Sequence, residues 1–129
     1  MKIDIGTRNF EADGKIRDYV KGKVGALEKY LPRKARPVAM AQVMLEEDPS
    51  GREHNRYVAE VKIVVPGTVL VSSEGAISMF AAVDIVEAKL KAQVRTYKDK
   101  QRTGGHRARL LSRWFGRTAP DASASEPQV

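Results

Sequence analysis

From Lys2 to Arg8 polar and apolar residues alternate, with Ile3 and Ile5 on one side, which predicts a strand at the start of the chain. Glu11-Ala12-Asp13-Gly14 then turns the chain, with Asp13 as a helix N-cap. Between Lys15 and Leu31, apolar residues at Ile16, Tyr19, Val20, Val24, Leu27 and Leu31 recur at helical spacing. Gly22 and Gly25 weaken that helix by about 1 kcal/mol each, so packing must hold it or another segment must approach closely. Pro32 ends it.

Three strands follow. Val38 to Glu47 sets Ala39, Ala41, Val43 and Leu45 against Met40, Gln42, Met44 and Glu46, and the second set is apolar enough to leave the inward face open. After the turn residues Asp48-Pro49-Ser50-Gly51, Arg56 to Val65 places Tyr57, Ala59, Val61, Ile63 and Val65 on one side. Pro66-Gly67 makes a tight turn into Thr68–Ser73, a hairpin. The second helix is predicted over 76–100 on the stripe Met79, Val83, Val86, Leu90, Val94 and Tyr97. Thr103-Gly104-Gly105 reads as a flexible break before a basic, partly apolar stretch, His106 to Arg117, and a Pro/Ala/Ser-rich end that predicts disorder.

The element order is therefore β-α-β-β-β-α. A helix between the first two strands predicts a parallel pair, and short turns predict antiparallel pairing for the rest. The fold class is α+β: a two-layer domain with a four-stranded sheet and both helices on one face. Residues 1–102 form this domain, and 103–129 a basic, then low-complexity, tail that is largely flexible.

Charge changes the picture more than length does. The 129 residues carry a formal net charge of +7, a long-range attraction for polyanions. Its placement points to a surface. Arg17, Lys21, Lys23 and Lys29 lie mainly off the first apolar stripe, and Lys91, Arg95 and Lys98 share a face of the second helix, flanked by Lys89 and Lys100. Cations in a last helical turn complement the helix dipole, but that effect is worth under about 1 kcal/mol and does not explain a ridge reaching back to Lys89. Both helices on one sheet face would present these residues as one phosphate-binding patch. No helix-turn-helix, zinc-finger or basic-zipper spacing points to duplex DNA, and the strands lack the aromatics that stack single-stranded bases. Folded RNA, read by shape and phosphates, remains.

With no cysteine, the chain has no disulfides, thiolate metal sites or cysteine nucleophiles, which fits a reducing cytoplasm. The N-terminus lacks the apolar middle of a secretory signal, and no stretch is long and apolar enough to span a membrane. His54 and His106 belong to no zinc pattern. Ser72, Ser73 and Ser78 lack a nucleophile elbow, and the glycines form no phosphate loop. Glu46-Glu47-Asp48 reads as a strand end entering a turn rather than a cation site. No enzyme, metal or cofactor is expected.

The sequence resembles the ribosome hibernation-promoting factor and ribosome-associated inhibitor family, also called sigma-54 modulation proteins, over about residues 1–102. The residues that carry it are Ile3-Asp4-Ile5, Ile16-Arg17-Asp18-Tyr19-Val20, the run Lys23 to Tyr30, Pro66-Gly67, Met79 to Asp84, Lys89-Leu90 with Gln93, and Lys98-Asp99-Lys100. The resemblance implies a fold like the double-stranded RNA-binding domain with an added first strand. It also implies binding to small-subunit (16S-type) rRNA in the channel for messenger and transfer RNA, which holds ribosomes inactive in stationary phase or stress. By position, Arg17, Lys23, Lys29, Lys89, Lys98 and Lys100 match basic residues of the family, while Lys91 and Arg95 rest on the helix-face argument alone. Where the family often has Asp-Met-Tyr, this chain has Ser78-Met79-Phe80, which preserves packing but puts local hydrogen bonds in doubt. The chain stops short of the long family form and reads as a short form, a monomer.

In the tail, Leu110, Leu111, Trp114 and Phe115 would line one side of a short helix. Arg107, Arg109, Arg113 and Trp114 are candidate contacts to RNA, through phosphates or base stacking. A basic amphipathic segment on an anionic membrane and a segment packed on its own domain are the rivals; no membrane partner is expected. For the whole chain, the rivals to ribosome binding are a protein–protein regulatory adaptor and a general RNA chaperone.

Overall fold

The computed structural model describes residues 1–115, without the side chains of Glu53 and of residues 102–115. The Thr118–Val129 stretch expected to be disordered lies outside the described residues. Four strands, β1 (Lys2–Arg8), β2 (Met40–Glu47), β3 (Tyr57–Val65) and β4 (Thr68–Ala76), form one sheet in sequence order. β1 is parallel to β2, with Ile3 beside Ala41 and Ile5 beside Val43, and the other pairs are antiparallel. Gly67 closes the last hairpin with φ 89°, the left-handed position that follows Pro in a type II turn.

Two helices cover one face of that sheet: α1 (Gly14–Gly25), which packs over β1, and α2 (Met79–Phe115), which packs over β3 and β4 and against α1. The inward residues settle the register that β2 left open. Ala41, Val43 and Leu45 are buried with Ala59, Val61, Ile63 and Leu70, beneath Val20, Val24, Val86, Leu90 and Val94. Each fully buried Leu or Val contributes about 1.5–3 kcal/mol relative to exposure, so this single layer holds the fold without staples.

Asp13 caps α1 as expected, its carboxylate accepting from the Ile16 N–H at 3.0 Å. The helix predicted to reach Leu31 instead ends at Gly25 and tightens into a 3-10 turn over Ala26–Tyr30. No close approach explains the glycines: an added Cβ at Gly22 would meet nothing, and at Gly25 only Ile3 Cδ1 at 3.6 Å. Their effect is the weakening itself, and the tighter turn still buries both Leu27 and Leu31.

α2 departs from expectation at both ends. β4 runs on to Ala76, paired with Tyr57, and the helix starts at Met79, where the Ser78 hydroxyl accepts from the Ala81 N–H at 3.1 Å. At the other end the break expected at 103–105 is absent, and one helix continues to Phe115. Glycine costs helix propensity but keeps its N–H, so strong helix formers on either side carry the hydrogen-bond ladder across Gly104-Gly105. The backbone at positions 107, 109, 113 and 114 is helical; their side chains lie outside the described residues.

Candidate nucleic-acid interface

At about 100° per residue, the buried stripe of α2 leaves two flanks. Asp84, Lys91, Arg95 and Lys98 lie toward α1; Lys89, Gln93 and Lys100 lie toward β4, on the far side of the helix. The contacts agree. Asp84 accepts from the Tyr19 hydroxyl and pairs with Lys23 of α1 at 3.6 Å. Lys89 pairs with Glu74 of β4, Gln93 donates to the Val71 carbonyl at 2.8 Å, and Lys100 lines a groove beside the Pro66-Gly67 turn.

On the α1 side, the centre of the arrangement is Tyr30. Its ring lies 5.2 Å from Lys29 Nζ, 5.2 Å from Lys91 Nζ and 5.1 Å from Arg95 Cζ. Cations from the end of the first helical segment and the middle of α2 thus meet over one half-exposed ring. Hydrogen bonding to Lys91, ahead of the charges of Lys29 and Lys91, holds the Tyr30 phenol below the ordinary tyrosine value. Tyr19, further along the same groove, is the opposite case. Its hydrogen bond to Asp84, together with burial and that negative charge, pushes its phenol up. The groove between the helices therefore runs from an end where Asp84 is taken up by Lys23 and Tyr19, with Glu87 nearby, to a basic end at Tyr30.

The nine domain residues singled out by sequence do not form one ridge. The structure brings Lys29, Lys91 and Arg95 together, with Lys98 one turn further along the same flank. Lys23 is near this group but shares Asp84 with Tyr19. Lys89 and Lys100 sit across α2, and Lys89 is neutralised by Glu74. Arg17 and Lys21 lie on the flank of α1 turned away from α2, where the Arg17 Nε donates to the Ala12 carbonyl at 3.1 Å. The expectation that both helices turn all their cations outward together thus holds for only part of the set.

Sequence reasoning missed Arg33, Lys34 and Arg36. Arg36 donates to the carbonyls of Leu31 and Lys29 at 3.1 and 2.9 Å, bracing the turn that carries Tyr30. Arg33 and Lys34 are exposed beside Tyr97 and Gln101 of α2. The signal was present: no acidic residue occurs between Glu28 and Glu46. Among the described residues, no group of three His, Asp or Glu is placed to hold a metal, and no helix is long and apolar enough to cross a membrane.

A family model described as "Sigma 54 modulation protein / S30EA ribosomal protein" matches residues 3–102. The "Ribosome hibernation promotion factor" of Picosynechococcus sp. is 32% identical over 100 residues, covering 78% of this chain and 50% of that protein. This chain thus spans half the length of that relative, and 60% of its Lactococcus lactis counterpart, to which it is 27% identical over 90% of its own length. The "Ribosome hibernation promoting factor" of Pseudomonas putida is 25% identical, with 80% of this chain and 92% of that protein covered. Among solved structures, the Thermus thermophilus Protein Y N-terminal domain superposes with TM-score 0.64 at 28% identity, over 75% of this chain and 99% of that one. A ribosomal subunit interface protein from Coxiella burnetii gives 0.61 at 18% identity, over 78% and 100%, which bears on the fold alone.

Proposed function

The chain belongs to the Sigma 54 modulation protein / S30EA ribosomal protein family, and from that premise we propose that it is a ribosome hibernation factor. In this reading it lays the basic end of the α1–α2 groove against 16S-type rRNA in the messenger and transfer RNA channel of the small subunit. It keeps ribosomes inactive under stress and in stationary phase, acting as a monomer in the cytoplasm by occupancy rather than by catalysis. The observation that carries the reading is the convergence of Lys29, Lys91 and Arg95, from segments some sixty residues apart, on one half-exposed ring. The names of its relatives, which describe ribosome hibernation, supply the target.

Residues 1–102 form the binding unit, and 103–129 extend it. Because α2 is continuous, positions 91, 95, 98, 102, 109 and 113 recur at intervals of three, four or seven along one helix. The helix backbone runs on about 20 Å past residue 102. Arg107, Arg109, Arg113 and Trp114 are the candidate RNA contacts of this extension.

Filter binding of a fluorescent messenger fragment and initiator transfer RNA to purified small subunits tests the reading. Saturating protein should displace both, and added bulk RNA at equal nucleotide mass should not relieve the displacement. Undiminished messenger binding in the presence of bound protein would refute channel occupancy; relief by bulk RNA would favour a general RNA chaperone. One observation favours an adaptor role instead. The sheet face away from the helices exposes Val64, Val69 and Val71 at 38%, 48% and 41%, with Val64 and Val69 paired across the hairpin. Binding through that patch would survive raised salt.

A further inference from the structure

Tyr19 and Tyr30 each carry positive charge against the ring, Lys23 at Tyr19 and three cations at Tyr30, yet their surroundings differ in one respect. At Tyr19 the cation, Lys23, and the phenol hydroxyl share a carboxylate, Asp84, so that cluster is closed upon itself. At Tyr30 the charged groups acting on the phenol are all cations: Lys91, Lys29 and Arg95. Each lies about 5 Å from the ring centroid, so the three sit within roughly 10 Å of one another. Three like charges held so close repel, and attraction to a half-exposed ring offsets that only in part. The arrangement is therefore short of one anion.

We propose that Tyr30, Lys29, Lys91 and Arg95 form a preorganised clasp for a single phosphodiester group. The ring fixes the spacing of the three cations, and the phenol hydroxyl adds a neutral donor. Arg36, bonded to the Lys29 and Leu31 carbonyls on either side of Tyr30, holds the clasp in place from behind. A planar guanidinium and two ammonium groups with a hydroxyl suit the tetrahedral oxygens of a phosphate better than a planar carboxylate. The inference rests on the RNA-binding reading for its choice of ligand, and it makes Tyr30 a residue that positions the cations and donates one hydrogen bond.

The full chain, labelled with 13Cζ tyrosine, is titrated with base by NMR, alone and with tripolyphosphate as the probe anion. The Tyr30 signal should move first, below the ordinary phenol value of about 10. Bound tripolyphosphate should shift its midpoint upward while leaving Tyr19 in place. Tyr30→Phe keeps the ring and should weaken tripolyphosphate binding about two- to threefold; Tyr30→Leu frees the cations and should weaken it about tenfold. A Tyr30 midpoint unmoved by the anion overturns the clasp, as does undiminished binding by a folded Tyr30→Leu chain. Should the leucine variant unfold, the wild-type titration and Tyr30→Phe decide alone. A chain that clasps tripolyphosphate but ignores small subunits keeps the clasp and refutes the ribosomal reading; the converse result keeps the reading and refutes the clasp.

Discussion

Gly75 marks where β4 passes so close to the Glu53–Asn55 turn that a Cβ would stand 2.9 Å from Asn55 Cβ and 3.1 Å from its carbonyl oxygen. Both are anchored atoms, so Gly75→Ala should destabilise the domain by about 1–3 kcal/mol in urea denaturation, an overpacking cost. Gly22, with open space around it, should tolerate or gain from alanine by comparison. Asp84 offers a second test. It raises the Tyr19 phenol, so the folded state holds that proton more tightly than the unfolded chain. The stability it lends is complete below the ordinary phenol value of about 10 and is lost as pH rises through the folded value. Asp84→Asn should bring the Tyr19 midpoint down toward that value, read by the same NMR signal, and should flatten the alkaline loss. At this scale the sequence was only partly readable. Asp13 announced its capping role by position. Ser78, read as a nucleophile without an elbow and as a departure from the family's Asp, is a helix cap, and nothing local to Gly75 reveals a neighbour twenty residues away.

The elements followed their periodicity wherever one face was buried, because burial is what the pattern encodes. β3, the Pro66-Gly67 hairpin and the α2 stripe stand as read. The errors fall at ends, where propensity and tertiary contact compete: α1 tightening after Gly25, β4 lengthening to Ala76, α2 passing through Gly104-Gly105. A helical wheel shows which α2 residues leave the core but not what lies beside each flank. Lys89 meets Glu74 only because β4 runs under that side, so the ridge looked wider in sequence than it is. Leu90→Ala, at a fully buried site between α2 and the sheet, should cost about 2–5 kcal/mol in the same denaturation measurement. A chain ended after Arg102 should unfold at nearly the midpoint of the full chain, since the core named above lies wholly within residues 16–97. A large drop in its midpoint would show that the extension packs on the domain.

For the whole molecule, the net charge of +7 conceals a division of labour. Among the described residues, ion pairs take up Arg8, Lys23, Arg56 and Lys89, while a cluster of open charge stands where the Lys29–Arg36 turn meets the middle of α2. Sequence alone could announce a polyanion partner, but not that folding would spend some cations on carboxylates and bring in three from a loop without periodicity. The central claim is that this end of the groove docks on RNA phosphates, and the salt dependence of small-subunit binding tests it most directly. Each phosphate contact contributes about 0.7–0.9 to the slope of log K against log salt. Replacing Lys91, Arg95 and Lys98 with glutamate should therefore lower that slope by about 2–3 and weaken binding at least tenfold, while Lys62→Glu on the open sheet face changes neither. A triple variant that stays folded and keeps the wild-type slope and affinity would contradict the account.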